Sequence, residues 1–361
     1  MSEASPAASG TDRPLRREPF VAVVVPTLDE EAHIRACLET LLAQVDEARG
    51  EILVVDGGSR DATREIVTQM AGAHPHLRLL DNPKRLQAAA VNLAAMRASP
   101  RARTLVRADA HALYPPTFVA DAVAALAERG AASTVVPMRT VGTRAFQRAV
   151  AAVQGSVLGN GGAAHRRGAR SGYVDHGHHA AFDRAAFLRL GGYDESFRCN
   201  EDAEYDHRLR RAGLRIWLCA EAAITYFPRE RPTALARQYY AHGRGRGRTV
   251  MRHRIVPKLR QLAPPAALLG SAGGLALAPI EPAFIGVPAL YLGLCHGFGV
   301  AAAARRRDPA LLACGLVATI MHLAWALGFL RSIASGLAGA PFPAAPAPLR
   351  AGAPGEPRPR A

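Results

Sequence analysis

Cysteine is scarce in this 361-residue chain, and its distribution excludes two classes. Cys37, Cys199, Cys219, Cys295 and Cys314 are odd in number, widely spaced and free of any CxxC pair. Neither a disulfide framework nor a zinc knuckle is built that way, so the thiols are expected to be reduced, in a cytosolic or membrane setting. No apolar run follows the first methionine. Met1 to Pro19 is rich in Ser, Ala, Pro and Arg, which reads as a disordered tail rather than a signal peptide, with the chain beginning in the cytoplasm. Acidic residues are in deficit as well: 30 against 45 Lys and Arg leave a formal charge of +15. Nucleic acid, lipid headgroups and diphosphates are the anionic partners that such a surface attracts. The length suits one large domain or two smaller ones.

Up to about residue 231 the pattern alternates strand and helix, which argues for a mostly parallel α/β sheet. Phe20 to Pro26 reads as the first strand, with Thr27-Leu28-Asp29-Glu30-Glu31 as cap and acidic first turn of the helix that follows. Ile52 to Val55 is an apolar run buried on both faces, ending in Asp56 and the sharp turn of Gly57, Gly58 and Ser59. Thr104 to Asp109 is a later strand, ending in Asp109-Ala110-His111, and Ser133 to Met138 is a fifth. The glycine-rich stretch 159–172 suggests a loop over a site or a plain connector. Pro232 to Arg254 reads as a basic helix broken by glycines.

Three carboxylate groups stand at successive sheet edges, where open parallel sheets bind ligands. Asp56 is placed either to meet a nucleobase or ribose or to cap a turn, and Pro26-Thr27 ends the neighbouring strand. Asp109 with His111 offers an oxygen and an imidazole to Mg²⁺ or Mn²⁺ on a nucleotide diphosphate, although Asp and His are also ordinary turn residues. Glu201-Asp202 opens a helix, where acids compensate the dipole; a carboxylate there is also positioned to take a proton from an attacking hydroxyl. His176, His178 and His179 lack a thiolate or further ligand for zinc and are expected to bond an acceptor or phosphate, with His176 and His178 on one side and His179 on the other. Arg244, in the run Gly243-Arg-Gly-Arg-Gly-Arg248, resembles an RNA-binding tract but is expected to meet headgroups, a diphosphate or a lipid-linked acceptor.

In order and content these motifs resemble family 2 glycosyltransferases of the GT-A fold, in the membrane-attached succinoglycan or exopolysaccharide branch. Val-Val-Val-Pro-Thr-Leu-Asp-Glu-Glu, Val-Val-Asp-Gly-Gly-Ser-Arg-Asp-Ala-Thr, Arg-Ala-Asp-Ala-His, Gly-Gly-Tyr-Asp-Glu-Ser-Phe and Asn-Glu-Asp carry the resemblance, from about Phe20 to Arg254. It implies that Pro26, Thr27, Glu30 and Asp56 contact the nucleoside, that Asp109 meets the metal and diphosphate, and that Asp202 is the catalytic base. His111 stands where the family more often has a second Asp. Arg85 and Arg244 are expected to offset charge on the departing diphosphate, and Glu201, His176 and His178 to bind acceptor or diphosphate. The Gln-x-x-Arg-Trp signature of processive synthases is absent, because Gln238 is followed by Tyr-Tyr-Ala-His. The implied activity is inverting transfer of one sugar, from a UDP-sugar to a lipid-linked oligosaccharide, with a polyprenyl-phosphate acceptor as the runner-up.

Two other classes fit less well. A nicotinamide enzyme wants Gly-x-Gly-x-x-Gly after the first strand, where Pro26-Thr27 stands. A non-catalytic basic membrane adaptor would not require acids at three sheet edges. Beyond a basic interfacial segment over 232–261, three apolar runs follow: Leu262 to Ile280, Ala283 to Ala304 and Ala310 to Leu330. Each approaches the ~20 residues a membrane-crossing helix needs. Three spans would keep Arg305 to Arg307 and the catalytic domain in the cytoplasm, at the inner membrane, with the first run either spanning or re-entrant. The Pro/Ala-rich tail over 333–361 would be disordered and, from Gly339, outside. Nucleic acid is not expected as a partner.

Overall fold

A computed structural model describes residues 20–161, 170–339, 341, 343–344 and 346–351; the N-terminal tail, the centre of the glycine-rich stretch and 352–361 lie outside them. The chain begins β1 (Val21–Thr27), α1 (Ile34–Leu42), β2 (Gly50–Asp56), α2 (Thr63–Ala73), β3 (Leu77–Asp81), α3 (Gln87–Arg97), β4 (Thr104–Arg107), α4 (Phe118–Arg129), β5 (Ser133–Val136) and β6 (Met138–Thr140). There follow α5 (Ala145–Gln154), α6 (Val157–Asn160), β7 (Gly172–Val174), β8 (His178–Asp183), α7 (Arg184–Arg189), α8 (Glu201–Arg211), β9 (Ile216–Leu218) and β10 (Ile224–Tyr226). Four long helices close the chain: α9 (Pro232–His253), α10 (Leu259–Leu277), α11 (Gly286–Arg306) and α12 (Cys314–Leu337).

An eight-stranded sheet runs β3-β2-β1-β4-β8-β5-β9-β7. Strands β1 to β4 are parallel neighbours, and β8 is inserted antiparallel between β4 and β5. The period of two in β1 explains why both faces are covered. Val21, Val23 and Val25 pack with α1, α2 and α4, whereas Ala22 and Val24 pack with the Ala-rich α3 and with α7 and α8. Ser133 to Met138 is not one strand: Pro137 divides it, and β6 pairs instead with β10 in a separate two-stranded sheet.

The first helix starts later than its acidic signal implies. Asp29 adopts a left-handed φ of 54°, and the backbone N–H groups of Asp29, Glu30 and Glu31 donate to Ser59 Oγ, Thr63 Oγ1 and Asp61 Oδ2. The stretch after β1 is thus a loop laced to the loop after β2. Local capping loses to these longer-range bonds.

The glycines of α9 do not break it. An added Cβ would lie 2.0 Å from Trp325 O at Gly243, 2.8 Å from Phe329 O at Gly247, and 2.1 Å from Tyr240 O at Gly328. They are a contact strip that lets α9 and α12 approach backbone to backbone, as small residues do between apolar helices. Gly328→Leu is expected to destabilise the protein by about 2 kcal/mol or more through overpacking, read as a lower thermal midpoint in detergent. A midpoint equal to that of the native chain would show the strip to be loose.

Two stretches, Pro282–Arg306 and Pro309–Leu337, are helical, long and apolar enough to cross a membrane; α10, covering the first expected run, is not in that class. The tail also differs from expectation. Leu349 N–H donates to Leu188 O at 2.8 Å, Arg252 donates to Ala344 O at 2.8 Å, and Pro346 and Ala347 fill the space beside Gly191. Ala344, Pro346, Ala347 and Leu349 therefore rest on the sheet-bearing body, since Gly191 and Gly192, with φ of 81° and 61°, have no side chain to keep them off.

Candidate active site

Because β2 and β4 flank β1 in parallel, their C-terminal ends face one edge of the sheet, with Asp56 opposite Thr27 and Arg107 opposite Val24. Asp56 stands at one of these ends and Asp109 just beyond the other. The Asp56 carboxylate is fully buried and turned into its own loop. It accepts from Gly58 N at 2.9 Å, from Ser59 N and Oγ, and from Arg64 at 2.7 Å. Burial alone would raise its pKa, but these donors hold it below the usual carboxylate range. The Gly57 N–H donates to Thr27 O at 2.8 Å, tying the two strand ends together, and Arg85, with φ 55°, lies over Gly57 and Gly58. Pro26, Thr27, Glu30, Asp56 and Arg85 thus converge around one pair of loops.

Asp109 is held by a residue to which the sequence reading assigned no role. Arg107 Nε donates to Asp109 Oδ1 at 3.1 Å, Gln87 to the same oxygen at 3.2 Å, and His178 Nε2 stands 3.6 Å from Oδ2. Burial opposes ionisation, yet Asp109 is pulled down to about 2, with Arg107 the largest opposing influence. Burial pushes His178 down to about 4, and after Arg107 it is the next influence that lowers Asp109. His111 Nδ1 lies 2.8 Å from Glu30 Oε1, which raises the His111 pKa and ties Asp-x-His to the loop after β1.

Arg107 also reaches the third acidic group. Its Nη1 donates to Tyr193 Oη at 3.2 Å and lies 3.9 Å from Glu201. Tyr193 Oη meets His179 Nδ1 at 2.6 Å, and His179 Nε2 meets Asp206 at 2.8 Å. His176 bonds the other Asp206 oxygen at 2.7 Å. The pairing of histidines is therefore His176 with His179 on Asp206, not His176 with His178. Strand alternation does not apply to His176, because β8 begins only at His178. The one advance signal for Arg107 was an arginine inside an otherwise apolar strand, Thr104-Leu-Val-Arg107. Asp206, three positions beyond Ala203 on α8, carried none.

Glu201 and Asp202 are split by their surroundings. Glu201 is buried and faces Arg107; burial, then the charge of Asp202, raises its pKa to about 7. Asp202 is only partly buried. Burial would raise its pKa, but His176, His179 and Arg107 together pull it well below the usual range, so it is the ionised member. Beside them opens a cleft of about 740 Å³, lined by polar side chains that include His176, Asn200, Arg246, Arg260 and His322 and by apolar ones that include Met321 and Trp325. Asn200 precedes α8 with φ 70°, makes no side-chain capping bond, and its buried Nδ2 has no partner among the described residues. Arg244, expected at this site, is instead exposed, and Arg246, two residues on, lines the cleft in its place. Packing of Gly243 and Gly247 against α12 sets that helical phase.

Among the described residues no group of three His, Cys, Asp or Glu side chains is arranged to hold a metal ion. Asp109 Oδ1 is engaged by Arg107 and His111 Nδ1 by Glu30 Oε1.

Residues 22–191 match the family model described as glycosyl transferase family 2. The chain is 41% identical over 318 residues to the succinoglycan biosynthesis protein ExoA of Rhizobium meliloti, covering 86% of this chain and 94% of that one. A shorter segment of 63 residues is 40% identical to the glycosyltransferase AglE of Haloferax volcanii, covering 17% of this chain and 21% of that one. Among solved structures, the mannosyltransferase PcManGT of Pyrobaculum calidifontis, in complex with GDP-Man and Mn²⁺, aligns with TM-score 0.55 at 22% identity, covering 90% of this chain and 88% of that one. With the motifs at one sheet edge and a full-length relative at this identity, the chain belongs to the family 2 glycosyltransferases and is an enzyme of that class on the GT-A fold.

Proposed function

We propose that this enzyme transfers one sugar, with inversion, from a nucleotide-diphosphate sugar, UDP-linked by preference, to a lipid-linked oligosaccharide during exopolysaccharide or cell-envelope glycan synthesis. The observation that carries this reading is Asn200, which precedes Glu201 and Asp202 and lines a cleft walled by both polar and apolar side chains. A glycan on an isoprenoid diphosphate likewise has a polar and an apolar part. The 41% identical relative is named for succinoglycan biosynthesis, which supports the pathway class. Membrane attachment through the late apolar helices, with the catalytic domain cytoplasmic, would keep the enzyme beside such an acceptor.

In this reading the loops after β1 and β2, with Pro26, Thr27, Glu30, Asp56 and Arg85, seat the nucleoside. Asp109 with His111 would hold Mn²⁺ or Mg²⁺ on the diphosphate. Such an ion, when bound, supplies positive charge to the leaving phosphate oxygens. Asp202 accepts the proton of the acceptor hydroxyl as its oxygen bonds the anomeric carbon and the bond from that carbon to the diphosphate breaks. Glu201 stays behind it as a shared-proton neighbour, while His176 and Arg246 line the acceptor side. His178 keeps Asp109 oriented.

The test is donor hydrolysis and transfer by the purified full chain with UDP-, GDP- and dTDP-sugars, with and without EDTA. Activity is expected with one nucleotide class. EDTA should lower it by at least ~100-fold, and Mn²⁺ or Mg²⁺ should restore it. Rates indifferent to chelation would remove Asp109 and His111 from metal duty, and failure with every donor would remove the reading itself.

A further inference from the structure

Three contacts show where the late helices begin and end relative to the catalytic body. Just before α10, Lys258 Nζ pairs with Asp175 at 2.8 Å. Between α11 and α12, Asp308 pairs with Arg148 of α5 at 2.8 Å, and Cys314 Sγ approaches Ala149 O. After α12, Leu349 N–H bonds Leu188 O. Asp175 and Leu188 belong to the sheet-bearing body, and α5, which carries Arg148, is tied to it where Gln147 Nε2 donates to Pro228 O at 2.9 Å, just after β10. A chain that returns to one side of a membrane at 258, 308 and 349 crosses an even number of times in each interval. The second interval holds a single long helix.

We propose that only the α10–α11 hairpin enters the bilayer, with its tip at Ile280 and Glu281, and that α12 does not cross, so that residues 344–349 lie on the same face as the catalytic domain. The inference rests on the membrane attachment within the proposed function and not on its sugar chemistry.

The packing of each helix agrees. Helix α12 shares a core with α5, through Ala149, Val150 and Val153 against Cys314, Val317 and Met321. Along the rest of its length it lies on α9 through the glycine strip. Helix α9 carries Arg237, Arg244, Arg246, Arg248 and Arg252. Two of these are committed to the catalytic body, Arg248 to Ser196 and Arg252 to Asp194. A membrane-crossing α12 would draw that charged helix into hydrocarbon, where arginine is strongly disfavoured. Its apolarity is explained by burial instead. The hairpin joins that core only through α11 from Tyr291 onward, with Cys295 in the cluster and Tyr291 Oη 3.2 Å from His322 Nδ1. Gly270 lies against Val287 and Gly274 against Phe284, so α10 and α11 are antiparallel partners. Their outer ends project apolar side chains, with Ile280, Leu290 and Leu294 80%, 66% and 64% exposed. The first turns of α10, at Ala263, Pro264 and Ala267, line the cleft with Tyr291, Met321 and Trp325, so the lipid-facing part of the hairpin is its outer portion, where Leu269, Leu275, Ile285 and Leu290 are exposed. Lys258 and Arg260 at one base and Arg305 to Arg307 at the other then flank the hairpin on one side, which the positive-inside rule makes cytoplasmic.

Sidedness labelling decides this. Glu65→Cys on α2, Arg306→Cys and Arg350→Cys would each be placed in the full chain and exposed to a membrane-impermeant maleimide in sealed vesicles of each orientation. The unaltered chain serves as background, its cysteines being buried except for the half-buried Cys199. All three variants are expected to label in the same vesicle orientation. Labelling of Arg306→Cys or Arg350→Cys in the orientation opposite to Glu65→Cys overturns the proposal. A compartment-sensitive reporter fused to the C-terminus of the native chain gives the second reading: a signal on the side of the catalytic domain supports it, and one on the other side overturns it. Recovery of the native chain entirely in the soluble fraction also overturns it, and separately withdraws membrane attachment from the proposed function.

Discussion

Asp202→Asn is expected to lower kcat for transfer by about 10³- to 10⁴-fold while leaving nucleotide-sugar affinity, measured by calorimetry, within about threefold of the native value. The expectation rests on how the two adjacent acids divide. Asp202 remains ionised because His176, His179 and Arg107 outweigh its burial. It is also the less buried of the two. Glu201, raised to about 7, faces inward to Arg107. A carboxylate with a low pKa is a weak base in the ground state, but a sugar hydroxyl becomes acidic only as its oxygen bonds the anomeric carbon. Geometry therefore ranks ahead of basicity here. Glu201→Gln keeps the shape and the uncharged form of that side chain, so its transfer rate should fall by no more than about tenfold. Reversal of this order, with Glu201→Gln dead and Asp202→Asn active, would falsify the assignment of the base.

Arg107→Met is expected to cost about 3–5 kcal/mol of stability at pH 7, because a buried cation shared by several partners is removed and its carboxylates are left facing one another. Arg107 is 7% exposed and contacts Asp109, Tyr193 and Glu201. The pH dependence follows from the depressed pKa of Asp109. Its folded value of about 2 lies under the ordinary 3.8, so its ionisation contributes stability above pH 3.8 that is lost as pH falls toward 2. The variant lacks the main influence holding that value down. Urea midpoints of the two proteins should accordingly lie far apart at pH 7 and converge below about pH 4. Equal midpoints at neutral pH would mean that water or another side chain already satisfies the pair.

The strand-end motifs were legible because their chemistry is local. An apolar run of period two ending in Asp56 and Gly57-Gly58 announces both a buried strand and its exit turn, and Thr104 to Asp109 announces another. Helix starts were less legible. Thr27 to Glu31 has the composition of a cap, yet its backbone is held by Ser59, Thr63 and Asp61, about thirty residues away. The glycines of α9 had the look of breaks or of a nucleic-acid tract, and proved to be a packing surface for α12, a partner some 80 residues distant. Pro346, Ala347 and Leu349, in the tail expected outside, lie on Gly191 and Gly192.

Read alone, the order of residues established that an α/β sheet presents acids at successive edges, that the apolar mass is confined to the last third, and which family the motifs resemble. Folding decided the rest: that Arg107 joins Asp109 to Glu201, that Asp206 gathers His176 and His179, that Arg246 rather than Arg244 faces the cleft, and that α12 is held against α5 and α9. Periodicity and turn chemistry act over a few residues and survive in the letters. Pairings of charge and packing act over a few ångströms of space between residues far apart in the chain, and they exist only once the sheet and helices have brought those residues together.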